Sequence, residues 1–143
     1  MKTMILMAMT VATAATAQGK DLRGAYLFSA QLERVDLRGA NLAKTQLGHA
    51  NLKDADLRGA KLGGAYLYQA DLSGADLRGA EFKSRFELHK VKLTGARFDR
   101  TTVLPFGEAE ALERGMVKVE TVEQPELPAQ RDETLDGKAV ASR

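Results

Sequence analysis

The 143-residue sequence contains no cysteine and no tryptophan. Without cysteine there is no disulfide scaffold, no thiolate zinc site, no iron–sulfur cluster and no cysteine nucleophile. Three tyrosines and five phenylalanines are too few for a conventional aromatic-rich core. Charge of one sign is missing too: 21 Lys and Arg stand against 19 Asp and Glu, a formal net charge of +2. Such a balance gives no overall nucleic-acid or membrane signature and describes a mixed-sign globular chain. The length suits one modest domain. Phosphate loops, dinucleotide fingerprints and G-x-S-x-G elbows are absent from the sequence.

Residues 1–17 differ from everything that follows. Lys2 supplies a short positive start, Met4 to about Val11 is apolar, and Ala15-Thr16-Ala17 is an A-x-A cleavage pattern. The apolar run is far short of the ~20 residues a membrane-spanning helix needs. This segment predicts a signal peptide cleaved after Ala17, and so an exported chain, periplasmic or secreted, with no membrane span in its mature form.

From Leu22 the chain repeats every five residues. The series runs through Leu27, Leu32, Leu37, Leu42, Leu47, Leu52, Leu57, Leu62, Leu67, Leu72, Leu77 and Phe82, then steps by six to Leu88 and by fives to Leu93 and Phe98. Two residues before each lies a second position, which is Ala in eleven cases. Five residues of α-helix rotate by roughly 500°, which would smear the leucines over every face. In a straight strand an odd step puts successive leucines on opposite faces. All of them can be buried only if the chain turns once per repeat, always in the same sense. Glycine recurs two residues after a leucine, where a corner can use its freedom of φ. Asp-Leu-Arg-Gly-Ala recurs at 36, 56 and 76, twenty apart, which favours four sides per coil, although a first copy at 21 lies fifteen away.

The runs Ala-Asn-Leu-Lys-Asp-Ala-Asp-Leu-Arg-Gly-Ala at 50–60 and Ala-Asp-Leu-Ser-Gly-Ala-Asp-Leu-Arg-Gly-Ala at 70–80 resemble the A-(D/N)-L-x-x motif of pentapeptide repeat proteins. The resemblance covers about residues 20 to 100. It implies an all-β fold, a right-handed quadrilateral β-helix of about four coils, with Leu37 to Phe82 among the inward residues. Lys20, Val35, Thr45, Phe86 and Val91 depart from Ala at the second position. The six-residue step near 83–87 predicts a bulge or small loop.

After Pro105 the residues change character. Glu108 to Arg114 reads as a short helix ended by Gly115, and Met116–Val119 as a brief strand. A solenoid needs its end covered, which assigns 18–104 to the β-helix and 105–119 to a C-terminal cap. Residues 120–143 are polar, hold Pro125 and Pro128, and read as a disordered tail.

Chemistry is scarce. His49 and His89 are the only histidines and lie about two coils apart with no acidic cluster between them, so no metal, cofactor or catalytic residue is expected. Asp36, Asp56 and Asp76 should stack in one column, with Arg38, Arg58 and Arg78 beside them as a self-neutralising face. Tyr26, Phe28, Tyr66 and Tyr68 flank inward leucines on another side and form a candidate contact surface. Lys83, Arg85, Lys90, Lys92 and Arg97 form a candidate basic patch on the last coil, with His89 and Arg100 nearby. These features predict a non-enzymatic, exported scaffold for protein–protein interaction or self-association, with a homodimer through the N-terminal coil. No nucleic-acid partner is expected. One alternative comes from the resemblance: some of these proteins mimic DNA and bind type II topoisomerases. The net charge of +5 over residues 20–100 and the export signal disfavour it. The other alternative is an anionic partner held by the basic last coil.

Overall fold

A computed structural model describes residues 18–83 and 88–120. The predicted signal peptide, Arg85 and nearly all of the predicted tail lie outside the described residues.

Long strands are absent from the described residues because the repeat is too short to make them. Only one residue per repeat bridges to the neighbouring turn, in parallel register: Asp21↔Asn41↔Lys61↔Glu81, Tyr26↔Gln46↔Tyr66, Gln31↔Asn51↔Asp71 and Asp36↔Asp56↔Asp76. Four such series, each stepping by twenty residues, define four sides of a β-helix. We number them one to four from Asp21, Tyr26, Gln31 and Asp36.

At each corner the leucine carbonyl accepts a hydrogen bond from the amide three residues on, as from Ala25 to Leu22 at 3.0 Å and from Ala50 to Leu47 at 3.1 Å. The third residue of such a turn needs positive φ. Gly24 supplies it at +67°, but His49, Lys44 and Gln69 adopt it as well, at +58°, +59° and +57°. Each non-glycine corner costs about 1 kcal/mol, which the stacking on both neighbouring turns offsets.

Between the corners the backbone pairs with the next turn. Leu27 donates to Gln46, Gln46 to Ala25, and Ser29 to Gly48, all at 2.8–2.9 Å. Inside, the leucines from Leu37 to Leu77 and the alanines two residues before a leucine or Phe82, from Ala40 to Ala80, are buried, and Phe82 is 2% exposed. Thr45 occupies an alanine position without penalty, because its hydroxyl donates to the Leu22 carbonyl at 3.0 Å. Leu22, Ala25 and Ala30, on the first turn, are only partly buried.

The register slips twice. Asp71 pairs with Lys92 and Asp76 with Arg97, a step of twenty-one that follows the six-residue step in the sequence; Glu81 then pairs with Val103, a step of twenty-two. The second extra residue is taken up by a loop closed on Asp99, described below. Strand β1 (Arg97–Phe98) pairs in parallel with β2 (Val117–Lys118). Helix α1 (Glu108–Glu113) lies between them in sequence. Its Ala111 is buried with Phe106 and Met116, and Arg114 packs its guanidinium 4.7 Å from the Phe106 ring centre.

Candidate interaction surface

Side four is an ion-pair face. Arg38, Arg58 and Arg78 reach back two residues to Asp36, Asp56 and Asp76 at 2.6–2.7 Å. Each carboxylate also accepts the backbone N–H of its arginine. Contacts between turns are longer, 3.7 Å from Arg38 to Asp56 and from Arg97 to Asp76. Exposed pairs of this kind are worth a few tenths of a kcal/mol each. At Asp76 burial works to raise the pKa, but the hydrogen bonds from Arg78 and the charges of Arg78 and Arg97 outweigh it, and the carboxyl is held below its ordinary range. Asp71 on side three behaves alike: burial opposes ionisation, while Ser73, Lys53 and Lys92 overcome it.

The basic set does not converge. Lys83 lies on side one, its stem over the bare backbone of Gly63. Lys90 is on side two, Lys92 on side three 3.9 Å from Asp71, and Arg97 on side four beside Asp76. Arg85 lies outside the described residues. One coil carries these cations, but its four sides point them in different directions.

Side two brings the candidate aromatics together and adds groups that the sequence alone kept apart. Tyr26 and Phe28 have ring centres 6.1 Å apart, and Tyr66 and Tyr68 6.2 Å, each pair near parallel. The pairs sit two turns apart. His49 on the turn between them joins them, 5.1 Å from Phe28 and 6.0 Å from Tyr68. His89 extends the row, 6.3 Å beyond Tyr68. Lys90 ends it, with Nζ 5.5 Å from the Tyr68 ring centre and donating to its hydroxyl at 3.5 Å. Gly48 is the floor: a Cβ there would stand 2.8 Å from both Phe28 and Tyr66. The two histidines therefore share a neighbour, Tyr68, although it lies nineteen residues from His49 and twenty-one from His89 in the chain. Neither contact lies at the twenty-residue step: His49 is one place past Gly48, the equivalent of Tyr68, and Tyr68 to His89 is a step of twenty-one.

Tyr26, Phe28 and Tyr66 are 64%, 41% and 46% exposed. Among the described residues no group of three or more His, Asp, Glu or Cys could hold a metal ion.

Eight copies of the family model for pentapeptide repeats match the chain, over residues 11–43 and 50–84. A pentapeptide repeat protein from Nostoc PCC 7120, known from its crystal structure, is 36% identical over 70% of this chain and 85% of its own, with a TM-score of 0.43. The chain belongs to the pentapeptide repeat family. Another family member, from the cyanobacterium Cyanothece 51142, is 30% identical over 68% of this chain and 69% of its own, with a TM-score of 0.36. A pentapeptide repeat protein of the Arabidopsis thaliana thylakoid lumen is 27% identical over 67% and 71%, with a TM-score of 0.30. No curated protein matches the chain. The first stretch matched as pentapeptide repeats begins inside the segment read from the sequence as a signal peptide.

Proposed function

We propose that this pentapeptide repeat protein is an exported, non-enzymatic scaffold that engages another macromolecule through side two and itself through its first turn. In this reading the solenoid is right-handed, has about four coils, and is closed at its C-terminal end by α1. The observation that carries it is the sorting of rings: every tyrosine and every histidine of the chain stands on one side of four. Exposed aromatic area gathered in one place is what contact surfaces use.

Self-association rests on a different feature. Leu22, Ala25 and Ala30 are half-covered where their equivalents further along are sealed. A β edge backed by apolar residues is a template for pairing, and a symmetric contact gives a twofold dimer.

Two experiments test the proposal. Retention of native extracellular or periplasmic material on immobilised protein should be lost when Tyr26, Phe28, Tyr66 and Tyr68 are all replaced by Thr, with melting little changed. Equal retention by both forms defeats side two as the contact surface. Light scattering of the protein purified from its native compartment should give the mass of two chains; a single-chain mass at tens of micromolar removes the dimer.

A further inference from the structure

Side two is set apart by charge as well as by rings. Among the described residues of its own turns Lys90 is the only charged group, and it stands at one end, where Arg114 of the following segment also reaches the Leu88 carbonyl at 3.4 Å. The other sides mix both signs: Asp21 and Lys61 on side one, Glu33 and Lys53 on side three, Asp36 and Arg38 on side four. Phe86 and Glu87 lie outside the described residues. The same five-residue turn builds all four sides, so β-propensity alone would scatter the aromatics over them. The sorting is therefore a property of the surface and not of the fold.

We propose that side two binds a neutral, extended, β-linked oligosaccharide laid along the solenoid axis. The proposal rests on side two being the contact surface and names its occupant. A polyanion or an anionic lipid surface needs cations spread along the contact, and here it would meet Lys90 and Arg114 at one end only. A cationic partner would find no carboxylate among the described residues of this side. A pyranose ring is neutral and has two kinds of surface, a face of polarised C–H bonds and a rim of hydroxyls. The negative faces of tyrosine and phenylalanine attract the first. Gln46 and Gln69, both exposed, offer amide donors and acceptors to the second.

The shape of the strip selects the linkage. The Tyr26–Phe28 and Tyr66–Tyr68 pairs are anchored two turns apart, about 10 Å along the backbone at ~4.8 Å per turn, and the rings of Phe28 and Tyr66 close part of that gap over Gly48. Gly48 lets Phe28 and Tyr66 lie down over the turn between, so the pairs form one low strip instead of separate pillars. In a β-linked ribbon alternate sugars present the same face, so an extended chain can keep one set of C–H faces on the strip along its length. An α-linked chain coils away from a flat strip after the first contact.

The protein carries its own reporter. It has three tyrosines and no tryptophan, so all its tyrosine fluorescence comes from side two. The full chain is titrated with short cello- and xylo-oligosaccharides, and with malto-oligosaccharides, polygalacturonate and phosphatidylserine vesicles for comparison. The expected result is a saturable fluorescence change with the neutral β-linked series, about tenfold weaker in Phe28→Ala and Tyr66→Ala. Tyr66→Phe, which keeps the ring, and Arg58→Ala on side four should bind as the parent does. Thermal melting confirms that each variant is folded. No response to either neutral β-linked series overturns the proposal, as does a stronger response to polygalacturonate, vesicles or malto-oligosaccharides, or binding indifferent to Phe28 and Tyr66. If retention of native material still depends on the side-two aromatics while the glycans give no response, the glycan fails and the contact surface stands.

Discussion

Phe28 and Tyr66 reach toward each other from turns on either side of Gly48 and rest on the same patch of bare backbone. Each ring is anchored on its own turn, and only the missing side chain leaves room for both over Gly48. Gly48→Ala should therefore separate stability from surface. Both rings are exposed and can swing outward, so the loss of stability should stay within about 1 kcal/mol. Tyrosine emission and the solvent accessibility of Tyr66 should change more than the melting temperature does. Unaltered quenching of tyrosine fluorescence by acrylamide in Gly48→Ala would show that the rings do not rest there.

Leu57 and Arg58 are adjacent in the chain and opposite in consequence. Leu57 is fully buried, and aspartate there would place an unpaired charge in a dry interior, at several kcal/mol. Leu57→Asp should fail to fold. Arg58→Ala gives up a side-chain pair at 2.6 Å on the open face and should change stability by less than about 1 kcal/mol. Urea denaturation followed by far-ultraviolet circular dichroism compares them, and similar midpoints would mean that inside and outside are reversed.

The loop that absorbs the second extra residue depends on one hydroxyl. Thr102 Oγ1 accepts from the amides of Gly79 and Asp99 at 3.2 and 3.1 Å, and donates toward the Leu77 carbonyl at 3.1 Å. Thr102→Val keeps the shape and removes the acceptor, stranding two part-buried amides. The expected cost is about 1–3 kcal/mol, and Thr102→Ser should recover most of it. A denaturation midpoint unmoved by the valine would refute this role.

Asp71, Asp76 and Asp99 give the fold its acid sensitivity. Burial opposes the charge on Asp99, but the hydroxyl and backbone N–H of Thr101, helped by Thr102, prevail and hold its pKa below the ordinary 3.8. Asp71 and Asp76 are lowered too. A carboxyl depressed in the folded state adds stability that is present above its unfolded pKa and lost as pH falls through its folded one. Melting should thus be nearly level from pH 8 to about 5 and fall below about 4. Asp99→Asn should melt lower at neutral pH and show a shallower acid slope. An acid slope identical to the parent's would exclude Asp99 as a contributor.

Export has a direct test. Amino-terminal sequencing of the protein isolated from its native source should begin at Gln18, and an intact Met1 in the cytosolic fraction would reject the signal peptide.

The interior was legible because a period of five admits no straight element, and the leucines that announce it are the residues the solenoid buries. Twenty-residue recurrence of Asp-Leu-Arg-Gly-Ala likewise points to the stacking seen in the bridges of side four. The step of six predicted one slip of register. The other, at Asp99 to Thr102, has no such mark, since it is held by threonine hydroxyls after the leucine series has ended. On the surface, Tyr26, Phe28, Tyr66 and Tyr68 could be named from the sequence, but the role of His49 could not. It stands at a corner with positive φ, a place usually given to glycine, and only the stacked turns reveal that its ring closes the gap between two aromatic pairs. Lys83, Lys90, Lys92 and Arg97 look like a patch when read along the chain and disperse once the chain is wound.

Winding also sets a unit of length. Because Asn41 and Lys61 occupy equivalent places one turn apart, excision of residues 41–60 would join Ala40 to Lys61 without rotating anything downstream. Excision of five residues would instead turn the remaining solenoid by a quarter and carry Tyr66 to a different side. Among the regular repeats, whole-turn insertions and deletions are the changes of length that keep the faces aligned. A row of residues running up one side is thus a register mark: among the regular repeats a change of twenty keeps it, and a single extra residue keeps it only where a loop takes that residue out of the turn, as before Lys92 and Val103.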